Sequence, residues 1–117
     1  MGRLSTHVLD TARGKPAAGM AIHLYSVDGD HRKLVKSAVT NADGRTDEAL
    51  LLGSELRPGV YELVFSAGDY HRAHGEQQSS PAFLDEIVVR FGVSDSTGNY
   101  HVPLLLSPYG YSTYRGS

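Results

Sequence analysis

The segment Val60-Tyr61-Glu62-Leu63-Val64-Phe65-Ser66 alternates between two sets of side chains and indicates the fold class. In an extended chain Tyr61, Leu63 and Phe65 share one face, and the other four residues share the opposite face. β-Branched and aromatic residues at a period of two are typical of a strand that turns one face to a core. This segment therefore predicts a β-strand.

Similar short runs lie on both sides of this strand. They occupy residues 4–9, 21–27, 33–40, 83–93, 100–106 and 111–115. Turn-forming Gly, Asp, Asn and Pro residues cluster between them. About eight short strands at this spacing predict an all-β sandwich or barrel. A chain of 117 residues is expected to form a single domain, residues 1–117.

Three positions carry more local predictions. Arg45 directly follows the turn 41–44, where a short strand is expected to begin. The polar segment from Gly68 to Pro81 is expected to hold a short helix and a surface loop. Pro103 cannot donate a ladder hydrogen bond, so the strand 100–106 is predicted at a sheet edge.

Composition excludes several classes of function. The net charge of −2 offers no basic surface for nucleic acid, and no apolar run is long enough to cross a bilayer. The chain has no cysteine, which excludes disulfides, thiolate metal sites and a cysteine nucleophile. The polar start of the chain does not resemble a signal peptide, so a cytoplasmic protein is expected.

The six histidines fall into two groups. The first group is expected to be solvated, outward-facing or too poor in neighbouring ligands for zinc; it contains His23, His31, His71 and His74. His7 and His101 are different, because each interrupts a strand built from packing residues. The residues alone favour a structural histidine at both positions and leave a functional role open.

The C-terminal segment is unusually rich in tyrosine. Four of the seven tyrosines fall between residues 100 and 114, and the chain ends Arg115-Gly116-Ser117. A frayed tail is one interpretation. Tyrosine is enriched at interfaces, however, and the segment has the pattern of an ordered strand, so an interface is the other.

Three blocks of sequence resemble the 5-hydroxyisourate hydrolases, a family with a transthyretin-like fold. The first block is Leu4-Ser5-Thr6-His7-Val8-Leu9-Asp10-Thr11-Ala12-Arg13-Gly14-Lys15-Pro16-Ala17, and the second is Thr40-Asn41-Ala42-Asp43-Gly44-Arg45-Thr46-Asp47. The third runs from Tyr100 to Ser117 and ends Tyr-Arg-Gly-Ser, the piece that separates these hydrolases from transthyretin. The blocks occur in the family's order and span nearly the whole chain.

The resemblance implies a transthyretin-like (prealbumin-like) two-sheet sandwich of about eight strands, with a short helix after the fifth. It also implies a homotetramer, a dimer of dimers with its active sites in the channel between dimers. The family's catalytic residues correspond to His7, Arg45 and His101, and Tyr114 and Ser117 correspond to residues that line the same pocket. The implied mechanism needs no cofactor and no metal.

The implied reaction is hydrolysis of 5-hydroxyisourate to 2-oxo-4-hydroxy-4-carboxy-5-ureidoimidazoline in urate breakdown. Arg45 is expected to stabilise an oxyanion, and one histidine to activate water, with a slight preference for His101. A transthyretin-like carrier of a small aromatic ligand is the alternative. Such carriers have other residue types at the three catalytic positions, which favours the enzyme. A purely structural adhesion-type sandwich explains neither the terminal strand nor Arg45.

Overall fold

The computed structural model describes residues 1–116 and contains two β-sheets and one short α-helix. The strands are β1 (Arg3–Asp10), β2 (Lys15–Pro16), β3 (Ala21–Asp28), β4 (His31–Val39), β5 (Leu51–Leu52), β6 (Gly59–Ser66), β7 (Glu86–Val93), β8 (Asn99–Ser107) and β9 (Gly110–Thr113). A 3-10 turn (Gly53–Glu55) precedes β6, and helix α1 (Ala67–Ala73) follows it. No helix within residues 1–116 is long and apolar enough to cross a membrane.

One sheet has the strand order β2-β1-β8-β9, with β5 also paired to β1, and the other has the order β4-β3-β6-β7. All pairs are antiparallel except β1 and β8, which run parallel. The all-β two-sheet sandwich with a short helix is therefore confirmed. The helix follows the sixth strand rather than the fifth, because the two-residue strand β2 adds one to the count.

The core lies between the sheets and is built from the alternation seen in the sequence. On β6 the side chains of Tyr61, Leu63 and Phe65 are buried, as predicted, and Phe65 and Leu63 pair across the ladder with Ile22 and Leu24 of β3. Each fully buried side chain of this size contributes about 1.5–3 kcal/mol relative to exposure. Leu4, Val8 and Leu104 of the other sheet belong to the same buried cluster, and this shared core holds the two sheets together. The opposite face of β6 is not fully exposed, because Glu62 and Val64 are buried as well.

Two local predictions are wrong. Pro103 does not mark an edge, because β8 lies between β1 and β9. The sheet tolerates the proline because pairing with β9 begins only at Leu104, and the Pro103 carbonyl accepts a hydrogen bond from the Thr113 hydroxyl at 2.7 Å. Nor does a strand begin at Arg45, which makes one isolated bridge to His7. The strand that follows is the later pair Leu51–Leu52.

The polar segment from Gly68 to Pro81 contains most of helix α1 and then an irregular loop, as predicted. The helix lies against the end of β1. There the Tyr70 hydroxyl donates a hydrogen bond of 2.7 Å to the buried Asp10 carboxylate. The Arg13 amide donates to the other oxygen of the same carboxylate at 3.0 Å. This closed network fixes the helix end of the sandwich.

Candidate active site

The parallel pair β1–β8 places Ser5 and His101 side by side. They are register partners, and alternate residues of β1 (Arg3, Ser5 and His7) face away from the core. The Ser5 hydroxyl and His101 Nδ1 are 2.8 Å apart, within hydrogen-bonding distance. The two strands therefore fix one polar pair on the outer face of the five-stranded sheet.

A tight turn presents Arg45 to the same face. The Asn41 side-chain oxygen accepts hydrogen bonds from the backbone amides of Asp43, at 2.9 Å, and Arg45, at 3.2 Å. Gly44 has a φ of +75°, and a Cβ there would collide with the Val8 carbonyl of β1. Only glycine therefore lets the turn dock this closely on β1, with Arg45 exposed beside it.

His7 is attached to this turn rather than to His101. Its Nε2 lies 2.8 Å from the Asp43 carbonyl oxygen. A carbonyl only accepts hydrogen bonds, so Nε2 carries the imidazole proton, and Nδ1 holds the lone pair in the neutral ring. The bridge between His7 and Arg45 adds a backbone connection. His7 therefore helps to hold the turn that carries Arg45.

Arg45 and His101 line the same open cavity, which has a volume of about 350 Å³. Its lining is Arg3, Ser5, Arg45, Asn99, Tyr100 and His101. Within residues 1–116, neither Arg3 nor Arg45 has a carboxylate oxygen within 4.0 Å of its guanidinium. Two guanidinium groups without acidic partners make this cavity suited to a ligand with carbonyl oxygens or negative charge.

The electrostatic surroundings favour the neutral form of His101. Partial burial lowers the pKa of His101 below 6.5, and the positive charges of Arg45 and Arg3, together with that of His7 when its ring is protonated, lower it further. A neutral imidazole accepts a proton readily, whereas a protonated one does not. The cavity therefore combines a proton acceptor with a group that stabilises negative charge, the combination required for attack of water on a carbonyl.

The C-terminal tail folds back over His101. The Gly116 amide donates a hydrogen bond of 2.7 Å to the His101 carbonyl, and the Arg115 guanidinium stacks 4.1 Å from the centre of the Tyr100 ring. A Cβ on Gly116 would lie 2.7 Å from His101 Cδ2, closer than packing allows. The tail thus confines the imidazole on one side.

The structure brings the predicted residues only partly together. His101 and Arg45 line one cavity, and His7 borders it through the Arg45 turn. Tyr114 instead lines a separate space of about 210 Å³ beside β7, and its side chain is exposed. Ser117 lies outside the described residues.

Sequence reasoning missed Arg3, Ser5, Asn99 and Tyr100. The signal for three of them was present in the strand period of two: Arg3 and Ser5 precede His7 by four and two residues, and Asn99 precedes His101 by two. Tyr100 faces the core but reaches the cavity wall.

The other histidines lie away from this cavity. His71 is buried in α1, and His74 at the helix end lies 3.4 Å from the Ala18 carbonyl oxygen. Within residues 1–116, no three His, Asp or Glu side chains are grouped closely enough to hold a metal ion.

Comparison with known proteins agrees with this fold. The model of the HIUase/Transthyretin family matches residues 4–116. The 5-hydroxyisourate hydrolase of Mesorhizobium japonicum is 63% identical over 116 residues, which cover 99% of this chain and 93% of that protein. The transthyretin of Sparus aurata superimposes with a TM-score of 0.86 at 27% identity, and the match covers 97% of this chain and 96% of that one.

The solved structure of an (S)-allantoin synthase superimposes with a TM-score of 0.93 at 45% identity. The match covers 99% of this chain but only 44% of the synthase chain. The present chain is therefore similar to one part of that larger protein.

Proposed function

The chain belongs to the HIUase/transthyretin family, and we propose that it hydrolyses 5-hydroxyisourate with His7, Arg45 and His101 as its catalytic residues. The single observation that carries the residue assignment is the cavity lined both by His101, whose neutral form is favoured, and by Arg45, whose guanidinium has no carboxylate partner within residues 1–116. This site supports an enzyme of urate breakdown better than a passive binding site.

The reaction, hydrolysis of a ring amide of 5-hydroxyisourate to 2-oxo-4-hydroxy-4-carboxy-5-ureidoimidazoline, makes three chemical demands. A water molecule must lose a proton as it attacks a carbonyl carbon. The carbonyl oxygen then carries negative charge, and the ring nitrogen that leaves must gain a proton. The protein therefore has to supply a base, a cation or hydrogen-bond donor, and a proton source.

In the proposed mechanism His101 is the base, because it lines the cavity and its neutral form is favoured. It takes the proton from water through Nε2 and returns it to the leaving nitrogen. Arg45 binds the substrate carbonyl and the developing oxyanion. His7 Nδ1, which forms no hydrogen bond within residues 1–116, accepts a hydrogen bond from the water in the neutral ring and orients it. A covalent intermediate is not needed.

The site is completed by assembly in this proposal. We propose a homotetramer, a dimer of dimers, in which Tyr114 and Ser117 line the substrate pocket. Two features support assembly: β7 and β9 are unpaired sheet edges within residues 1–116, and Tyr111 on β9 and Tyr114 directly after it are exposed. Leu9 and Leu105 are partly exposed on the same sheet face as Ser5, which supports contact between dimers across the site.

Dissociation gives a direct test of this assembly. Isolated dimers are expected to keep their fold and lose turnover, as measured by analytical ultracentrifugation and activity at decreasing protein concentration. Dimers as active as the tetramer would contradict a site shared between dimers.

A carrier of a small aromatic ligand is the second candidate, because transthyretin shares the fold. The cavity does not favour it, since its lining is dominated by Arg3, Arg45, Asn99 and His101 rather than by apolar side chains. The expected cytoplasmic location stays a prediction.

The deciding experiment follows the ultraviolet absorbance of 5-hydroxyisourate made freshly from urate by urate oxidase. The protein is expected to accelerate the decay of this intermediate, and His101→Ala is expected to remove the acceleration while keeping the fold. No acceleration by a folded protein would overturn the enzyme assignment and direct attention to ligand binding. Acceleration that survives in His101→Ala would overturn only the role of His101.

A further inference from the structure

Ser5 lies within hydrogen-bonding distance of the His101 ring, and no part of the proposed mechanism assigns it a role. Its hydroxyl and His101 Nδ1 are 2.8 Å apart across neighbouring strands whose register makes the two residues direct partners. The short serine side chain on a central strand has little freedom to move away. The contact is therefore a fixed property of the sheet rather than a chance approach.

We infer that Ser5 is a positioning residue that holds the His101 proton on Nδ1 and leaves the Nε2 lone pair open toward the arginine-lined cavity. This inference rests on the proposed function for its catalytic meaning, but the protonation pattern itself is independent of any substrate. It extends the site to a residue that acts through His101.

The remaining contacts of the imidazole leave Ser5 as its only side-chain hydrogen-bond partner within residues 1–116. Gly116 of the tail packs against the Cδ2 side of the ring and offers it no polar side chain. His101 Nε2 forms no hydrogen bond within residues 1–116 and belongs to a cavity-lining side chain. One ring nitrogen is thus held, and no group within residues 1–116 prevents the other from binding a ligand or water.

The direction of the Ser5–His101 hydrogen bond follows from the charges around the ring. A hydroxyl can either donate or accept, so distance alone does not decide. Arg3 and Arg45 line the cavity, and both are donors with permanent positive charge. A proton on Nε2 would face these cations, whereas a lone pair there is attracted to them. The favoured arrangement is Nδ1–H donating to the Ser5 hydroxyl oxygen.

The two site histidines then have opposite tautomers for different structural reasons. In His7 the Asp43 carbonyl requires the proton on Nε2, whereas in His101 Ser5 and the arginines favour it on Nδ1. Within residues 1–116, the charged and titratable groups around His101 are Arg45 on the turn and Arg3 and His7 on β1. His7 therefore serves as an internal reference for any spectroscopic measurement of His101.

The test is a long-range proton–nitrogen NMR spectrum of the histidine rings in nitrogen-15-labelled protein, without substrate, at a pH where both rings are neutral. Wild-type His101 is expected to show a protonated Nδ1, and His7 a protonated Nε2. Ser5→Ala is expected to move His101 toward the Nε2–H form, and Ser5→Thr, which keeps the hydroxyl, is expected to restore the wild-type pattern. Assignment uses the loss of one ring's signals in His101→Asn.

Ser37→Ala is the matched control, because Ser37 is the register partner of His23 in the other sheet and forms no side-chain hydrogen bond to it within residues 1–116. It is expected to leave both tautomers unchanged.

In turnover, Ser5→Ala is expected to lower kcat about 10-fold or more with little change in KM, since the wrong tautomer presents a proton where a lone pair is needed. Ser5→Thr is expected to recover most of it.

Two results would overturn the inference. One is a wild-type His101 that carries its proton on Nε2. The other is a folded Ser5→Ala protein with the wild-type tautomer. A protein that shows the expected spectra but does not turn over 5-hydroxyisourate would instead contradict the proposed function and leave the tautomer assignment standing.

Discussion

The two faces of strand β1 use polar side chains in opposite ways. On the inner face, the Thr6 hydroxyl donates to the Val102 carbonyl at 2.7 Å, and both oxygens of the Asp10 carboxylate accept hydrogen bonds. On the outer face and within residues 1–116, Arg3 has no carboxylate partner and one ring nitrogen of His7 forms no hydrogen bond. Satisfied polar groups stabilise a fold, and groups with open donors and acceptors are available for chemistry.

The largest expected effect on activity comes from removing the positive charge of Arg45 at the outer face. Arg45→Ala is expected to lower kcat/KM by about 10²–10³-fold, the usual loss when one oxyanion-stabilising group is removed. The urea midpoint is expected to stay nearly unchanged, because Arg45 is exposed and has no ion pair within residues 1–116. Steady-state kinetics and urea unfolding measure the two quantities.

Arg57→Ala is the matched control for Arg45→Ala. Arg57 is also exposed but lies beside the 3-10 turn, away from the His101 cavity. It is expected to change neither activity nor stability. A large loss of stability in Arg45→Ala would show that the outer face also holds the fold, and the contrast between the faces would fail.

A substitution at the inner face is expected to lower stability and to leave activity unchanged. Tyr70→Phe removes the hydroxyl that donates to buried Asp10, and it is expected to lower the free energy of unfolding by about 1–3 kcal/mol. Turnover per folded molecule is expected to stay at the wild-type value. Urea unfolding of Tyr70→Phe and of Tyr109→Phe, an exposed tyrosine, gives the difference. Equal midpoints for the two variants would mean that the buried hydrogen bond adds no stability.

The sequence predicted the inner face better than the outer one, and the reason is physical. A strand that faces a core carries apolar side chains at every second position. The alternating pattern of β6 therefore predicted the burial of Tyr61, Leu63 and Phe65. The fold class followed from repeating that pattern. A site has no such period of its own. His7, Arg45 and His101 were named through a family resemblance, while the residues alone favoured structural histidines.

The features that the sequence did not predict depend on register. The parallel pairing of β1 with β8 makes Ser5 the partner of His101, and a shift of two residues would place another side chain there. The interior position of Pro103 also depends on where β9 begins to pair. Register between segments about 96 residues apart depends on the packing of the whole sheet and is absent from either segment alone.

A smaller effect is expected from the tail that covers the outer face. Gly116→Ala places a Cβ too close to the His101 ring, which has to shift or lose the tail contact. Activity is expected to fall about 10-fold, which corresponds to about 1.4 kcal/mol of transition-state stabilisation. Gly110→Ala, where a Cβ finds only an ordinary contact of 3.7 Å, is the control for kinetics and thermal unfolding. Equal kinetics in both variants would mean that the tail does not confine the imidazole.

The smallest expected effect is the pH dependence of activity that His101 causes. Burial, and then the charges of Arg45, His7 and Arg3, lower the pKa of His101 below 6.5, so its base form persists below that pH. The kcat/KM of the wild type is expected to rise with pH and level off, with its midpoint below 6.5. Arg45→Gln removes one of the positive charges and is expected to move the midpoint of its residual activity upward, toward 6.5.

The lowered pKa of His101 also makes stability depend on pH. Acidification removes this contribution to stability, whereas it preserves the contribution of a salt-bridged histidine, whose pKa is raised. The folded His101 binds a proton less readily than the unfolded one, so its contribution is complete above the unfolded value of 6.5 and is lost as pH falls through the lowered pKa. Urea unfolding of the wild type and of His101→Asn between about pH 5 and 8 measures the contribution of His101 to the free energy of unfolding. The variant is expected to lose less stability on acidification. Identical pH dependence would mean that the outer face leaves His101 as easily protonated as a solvated histidine.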